Sequence, residues 1–200
     1  MTDNSGFIDR YRTGETPWDL GRPDYNLINT VTMTPIQPCK AFDIGCGTGE
    51  NVIWLKMQKF DAGGGDLSEI AVEKARQKAE KLKLDCKFQV IDIMHDDLPA
   101  ADYDLIFDRG CFHTFDEAEE RLKFAERVHR HLKNGGLWLS LIGNDDEPRG
   151  EQGPPKRSAI EIVNSVTPCF ELIFMKSGHF DSNFEIPPRI WICLMKKRIG

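Results

Sequence analysis

Residues 42–49, Phe-Asp-Ile-Gly-Cys-Gly-Thr-Gly, constrain the fold of this chain more than any other stretch. A short apolar run enters a turn in which three of five residues are glycine, and a helical pattern follows over about 50–58. Glycine takes positive φ without steric cost and lets another group lie against the backbone. A strand that ends in such a turn and returns as a helix is the opening unit of a parallel sheet with helices on its faces. The plain alternative is a turn that packs tightly and binds nothing.

The rest of the chain repeats that unit. A strand is expected at 40–44, a weak one at 61–65, and others at 87–91 and 103–107. Ser68 reads as an N-cap with Glu69 in the first helical turn, ahead of a stripe of Ala71, Ala75, Ala79 and Leu82. Asp116 with Glu119 resembles a capping box, before Ala118, Leu122, Ala125, Val128 and Leu132 at helical spacing. Asn134, Gly135 and Gly136 supply a left-handed stop, and 137–142 is an unbroken apolar strand suited to burial on both faces. The alternation predicts an α/β fold with right-handed crossovers and a ligand site at the carboxyl ends of the strands. The C-terminal third breaks the pattern: a polar, Gly- and Pro-rich loop over 144–157, a short helix at 158–164, then runs at 169–175 and 189–195 with little helix between them. Those two runs predict an antiparallel hairpin at the sheet edge. One structural domain is expected, with residues 38–200 as its body and residues 1–37 as a helical cap over the strand ends.

Charge excludes some partners. Lys and Arg number 26 against 32 Asp and Glu, a net charge of -6, which is poorly suited to a phosphate backbone, so no nucleic acid is expected. No apolar run approaches the roughly 18 residues that span a bilayer, so no membrane is expected. The first residues lack a basic segment followed by an apolar one, so no secretory signal is expected. The cysteines at 39, 46, 86, 111, 169 and 193 form no C-x-x-C pair, which suits free thiols in the cytoplasm rather than disulfides or zinc, and no metal is expected. His95-Asp96-Asp97 is read as a solvated loop, and nothing decides between a monomer and a weak dimer.

Chemistry enters at the glycine turn. A dinucleotide fingerprint requires a third glycine at position 50, where this chain carries Glu50, and an acid there repels a pyrophosphate. A nicotinamide oxidoreductase is thereby disfavoured. The loop of Gly45, Cys46, Gly47 and Gly49, with Asp43 just upstream, suits a cofactor without phosphates, such as S-adenosylmethionine, whose ammonium an acid or carbonyls can meet. Asp66, followed by Leu67, sits where an acid grips a ribose diol in Rossmann-like sites, although a plain strand-end acid gives the same pattern. Asp92, at the end of the third strand, could accept from an adenine amino group.

The segments AFDIGCGTGEN, GDLSEIAVEKA, IDIM and YDLIFDRG resemble, in order, the motifs of class I methyltransferases over about residues 39–143. The resemblance implies a Rossmann-like sheet of order 3-2-1-4-5-7-6 with strand seven antiparallel and helices on both faces. Thr16 to Pro23 is similar to the N-terminal segment of thiol and halide methyltransferases, and Phe107-Asp108-Arg109-Gly110 is similar to a WDRG stretch of thiopurine S-methyltransferase. Gly153-Pro154-Pro155 with Glu161-Ile162 resembles a late segment of both groups. The resemblance implies that Trp18 lies over the cofactor, that Gly45, Asp66, Asp92, Ile93 and Arg109 line its pocket beside Asp108, and that Arg109 faces the substrate. Phe107 departs from the usual Trp, and Cys111 and His113 stand where the thiopurine group has small or apolar residues.

A small soft nucleophile, such as a thiol, thiopurine, selenium or tellurium species or halide, needs no general base, because a thiol is already a few per cent thiolate at neutral pH. Direct in-line displacement, with Arg109 favouring the thiolate, is therefore the leading expectation. A small-molecule O- or N-methyltransferase would need a base, for which His113 is the candidate. A module that binds S-adenosylmethionine without turnover is the other alternative.

Overall fold

The computed structural model describes residues 5–146 and 153–199. Two helices, α1 (Ser5–Thr13) and α2 (Tyr25–Met33), precede an alternating series: β1 (Lys40–Ile44), α3 (Glu50–Met57), β2 (Asp61–Asp66), α4 (Glu69–Lys81), β3 (Lys87–Val90), β4 (Tyr103–Arg109), α5 (Ala118–His131) and β5 (Leu132–Gly143). A 3-10 turn, Phe112–Thr114, separates β4 from α5, and α6 (Ala159–Val166), β6 (Phe170–His179) and β7 (Arg189–Lys197) close the chain. The seven strands form one sheet in the order β3-β2-β1-β4-β5-β7-β6. Only β7 runs against its neighbours. Order and direction both agree with the class I expectation.

Alternate strand residues feed two cores. Ala41, Leu105 and Leu139 face one layer with Leu27 of α2, Val52 and Leu55 of α3, and Ala75 of α4. Phe42, Ile106 and Trp138 face the other, with Phe124 and Val128 of α5 and Ile162 and Val166 of α6. Helices thus cover both faces, which is why the central strands read as unbroken apolar runs.

The weakness of β2 as a sequence signal has a packing cause. A Cβ on Gly64 would stand 2.7 Å from Cys46 Cβ and 2.8 Å from Val52 Cγ2. The start of α3 therefore lies flush on β2, and the strand gives up side chains to let it do so. The Gly65 carbonyl accepts both the Gly45 and the Cys46 N–H, at 2.8 and 3.0 Å, and pins the glycine turn to the strand end.

Two local expectations are corrected. The Asp116–Glu119 capping box does not form: Glu117 is the N-cap of α5 and caps with no side chain, because the Asp116 carboxylate takes Arg157 at 2.6 Å instead. Strand β5 begins at Leu132, not 137. Gly135 does adopt φ +75°, but inside an irregularity where the β4 register jumps from Tyr103↔Leu132 to Leu105↔Leu137. At the other end of the chain a capping box does form, between Ser158 and Glu161 at the start of α6. The loop expected over 144–157 lies partly outside the described residues.

Two buried acids brace the strand ends. Asp108 accepts the N–H groups of Cys111 and Phe112 at 3.2 and 3.0 Å and the Trp138 indole N–H at 2.9 Å. Asp43 is 1% exposed and neither carboxylate oxygen has a hydrogen-bond partner. Burial, foremost, pushes its carboxyl well above the ordinary range, and Asp108 and Asp66 push the same way. The Asn51 amide eases the charge without reaching hydrogen-bond geometry.

Asp108→Ala strands three buried donors and should cost about 3–5 kcal/mol in urea denaturation. Because the folded pKa of Asp43 lies above its unfolded value, the native state holds more protons, and stability falls as pH rises through that window. Asp43→Asn should therefore raise the melting temperature of the ligand-free protein near neutral pH and do so much less at about pH 4, where the carboxyl is protonated in the folded state and about half protonated in the unfolded one. An equal shift at both pH values would refute the charge argument.

Candidate active site

The carboxyl ends of β1, β2 and β4 open into a cavity of about 980 Å³. Its floor is the glycine turn, with φ +70° at Gly45, +52° at Gly47 and +91° at Gly49. All three take positive φ, and for Gly49 and Gly47 close packing adds to it. A Cβ on Gly49 would stand 2.8 Å from Ala75 Cβ and 2.9 Å from the Phe88 ring, so it serves helix packing. A Cβ on Gly47 would stand 2.9 Å from the Tyr11 hydroxyl, on the cavity side. Asp66 ties the turn down: one carboxylate oxygen accepts the Gly47 N–H at 2.9 Å and the other accepts the Ser68 N–H at 2.9 Å. Burial raises the Asp66 pKa, and these two hydrogen bonds oppose it. Each oxygen keeps a second lone pair for a hydroxyl donor.

The segment before β1 forms much of the roof. The Trp18 indole donates to the Tyr11 hydroxyl at 3.0 Å, and the Arg10 guanidinium sits 5.4 Å over the indole ring. Thr48 bridges roof and floor, with its hydroxyl 2.8 Å from Asp19 and 2.8 Å from Glu50. Lys78 of α4 pairs with Glu50, so the acid that argued against a pyrophosphate is neutralised from behind.

Arg109, at the end of β4, is the junction of roof and wall. Its Nε donates to Asp24 at 2.6 Å, in a pair whose side chains are 15% and 2% exposed. One terminal nitrogen donates to the Asp181 carbonyl at 2.7 Å, the other lies 3.5 Å from the Trp18 carbonyl, and the guanidinium rests 5.0 Å over the Phe180 ring. Asp24 is also the N-cap of α2. Arg22 grips Asp181 with two donors, at 3.1 and 2.7 Å. Segments 18–24 and 180–181 are thus latched together above the strand ends.

His113 lines the same cavity, edge-on to Phe180. Its Nδ1 accepts the Gly143 N–H at 2.8 Å. A neutral imidazole has one donor and one acceptor nitrogen, so this hydrogen bond assigns the proton to Nε2. Cys46 and Cys111 also line the cavity; burial pushes both thiols well above the ordinary range, which keeps them protonated and unreactive. Asp92 contributes a carboxylate whose oxygens are taken by the Met94 N–H at 2.9 Å and by His95 at 2.8 Å.

Of the residues singled out in the sequence, Trp18, Gly45, Cys46, Gly47, Asp66, Leu67, Asp92, Ile93, Arg109 and His113 share this one cavity. Asp43, Gly49 and Asp108 stand behind its wall: the two acids are buried, and Gly49 packs against Ala75 and Phe88. Tyr11, Asp24, Thr48, Phe180 and Asp181 line the cavity without having been foreseen. Among the described residues, no group of three or more His, Cys, Asp or Glu could hold a metal ion, and no helix is long and apolar enough to cross a membrane.

The donor set fits S-adenosylmethionine. A paired carboxylate with spare lone pairs at Asp66 suits a ribose diol, the glycine floor admits close approach, and the acids about the turn suit a cationic ligand. Comparison with known proteins agrees. A family model described as "Methyltransferase domain" matches residues 41–136. A probable thiol methyltransferase 2 of Arabidopsis thaliana is 30% identical over 195 residues, spanning 94% of this chain and 83% of that protein. A thiocyanate methyltransferase 1 of Brassica oleracea is 29% identical over 168 residues, 82% of this chain and 72% of that one. Among solved structures, one from work on converting a disulfide bond into a thioacetal group during echinomycin biosynthesis superposes with a TM-score of 0.82 at 24% identity, covering 96% of this chain and 91% of its own. TehB from Haemophilus influenzae superposes at 0.72 and 20% identity, covering 94% and 66%. With this sheet order and a thiol methyltransferase relative along nearly its whole length, the chain belongs to the class I S-adenosylmethionine-dependent methyltransferases, in their thiol methyltransferase group.

Proposed function

We propose that this methyltransferase acts on a small soft nucleophile, a thiol foremost, with no protein general base. The observation that carries this reading is the Gly143 N–H to His113 Nδ1 hydrogen bond. To act as a base, His113 would need a lone pair on Nε2 and the proton on Nδ1, where it would oppose the Gly143 N–H. Protonation of the ring meets the same obstacle. The geometry therefore disfavours the alcohol and amine acceptors that require a base, and the thiol methyltransferase relative supports sulfur.

When bound, S-adenosylmethionine would supply a sulfonium methyl group for in-line transfer to the acceptor lone pair, with neutral S-adenosylhomocysteine as the leaving group. The residues of the chain hold and enclose the reactants. Asp66 holds the ribose, Asp92 and Ile93 the adenine edge, and the backbone of Gly45, Cys46 and Gly47 the amino-acid end. Trp18, Tyr11 and the described residues around them before β1 cap the site. Arg109 holds that cap against the 180–181 segment, and its charge favours an anionic sulfur. Positioning of this kind can supply about 7–11 kcal/mol of the barrier, and closure removes water from the nucleophile.

The test is S-adenosylhomocysteine release over a panel of thiols, thiopurine, selenium and tellurium oxyanions, iodide, a catechol and a simple amine. Turnover confined to the soft nucleophiles is expected; turnover of the catechol or amine alone would overturn the reading. Asp66→Ala should weaken S-adenosylhomocysteine binding by on the order of tenfold or more in calorimetry, since it loses a charge-assisted hydrogen bond. The rate with a thiol should rise with pH along the titration of the acceptor itself, and His113→Gln should keep that profile. A profile that follows a histidine and vanishes in the variant would restore the base.

A further inference from the structure

Apart from its glycine floor, the cavity has a wall of different character. Phe180 is buried against His113 and Arg109, Pro155 packs on Gly143, and the segment between β6 and β7 adds Phe184 and Ile186. These last two are 53% and 82% exposed, large apolar side chains held at the mouth of the site. Exposure of that kind at a cavity rim marks a surface that an apolar ligand covers.

The charges around this wall point the same way. Among the described lining residues, seven are acidic and three are arginines. Arg109 pairs with Asp24, Arg22 with Asp181 and Lys78 with Glu50, which leaves Asp19, Asp66, Asp92 and Glu185 as the acids of the lining outside these pairs. The third arginine, Arg10, lies over Trp18. Glu185 stands between Phe184 and Ile186 at the mouth. A cationic cofactor gains from this field, but a free anion approaching the rim is repelled. A neutral thiol is not, and its proton can pass to bulk solvent before the site closes, leaving the sulfur anionic beside Arg109 and the sulfonium.

We infer that the acceptor is an uncharged organic thiol with an apolar body, and that the site discriminates against inorganic anions such as thiocyanate and iodide. The inference rests on the soft-nucleophile reading above. The phenyl and aliphatic side chains at the rim take up the apolar body, and the acid-rich lining disfavours competitors that arrive charged.

The experiment compares kcat/KM at one ionic strength for ethanethiol, butanethiol, hexanethiol and benzenethiol with thiocyanate and iodide, a catechol and an amine being carried alongside. kcat/KM should climb about three- to fourfold for each methylene buried along the alkyl series. Hexanethiol should exceed both anions by on the order of a hundredfold. Ile186→Asp should flatten the chain-length slope, and Glu185→Lys should narrow the gap between hexanethiol and thiocyanate; stabilisation by S-adenosylhomocysteine checks that each variant is folded. A flat slope in the unaltered protein, or anions that match hexanethiol, would overturn this inference alone. Turnover of the catechol or amine and of no sulfur or halide acceptor would overturn the soft-nucleophile reading beneath it.

Discussion

The ion pair between Arg109 and Asp24 is the joint on which the enclosed site depends. It is short, almost wholly out of water, and joins residues 85 apart in sequence. A pair so buried gains little over a well-packed apolar contact, but removing one partner leaves an uncompensated charge and costs about 3–5 kcal/mol. What the pair secures is arrangement. Asp24 is fixed as the cap of α2, Arg109 is fixed at the end of β4, and the donors of Arg109 left over reach the Trp18 and Asp181 carbonyls. Without it, the segment before β1 and the end of β6 with its following segment would be joined chiefly through Arg22, on Asp181 and Asn183, and the hydrogen bonds to the His179 carbonyl.

The strand ends carry an unusual load of acid for so apolar a setting. Asp43, Asp66 and Asp108 are all buried enough to hold raised pKa values. Asp108 is compensated by three donors and Asp66 by two, while Asp43 has none. The three acids are thus compensated unevenly, and the one without donors lies directly behind the turn that a cation is to meet. Local destabilisation at a functional site, supported by a well-packed remainder, is a common settlement between stability and activity.

Much of this was legible in the sequence because it is local. Period-two and period-3.6 patterns mark the central strands and helices, and the glycine turn announces the site by its own backbone demands. The faint signal of β2 and the false cap at Asp116 share a cause: both are decided by partners far along the chain. Gly64 answers to Val52 packed across it, and Asp116 is claimed by Arg157. Tyr11, Asp24 and Asp181 were illegible for the same reason. Nothing near them in sequence hints at Gly47 or Arg109, and only the closed sheet brings them there.

The position of the apolar wall has an evolutionary consequence. The cofactor floor is built by β1, β2 and the turns after them, elements locked by glycine contacts that tolerate no added carbon. The rim residues Phe184 and Ile186 belong to the connection between β6 and β7 at one side of the sheet, outside the elements that carry the glycine turn and Asp66. On the acceptor reading proposed above, mutations there would retune which acceptor is taken without passing through a variant that has lost its methyl donor. Lineages built on this plan are free to diversify at one edge of the sheet while the centre stays fixed.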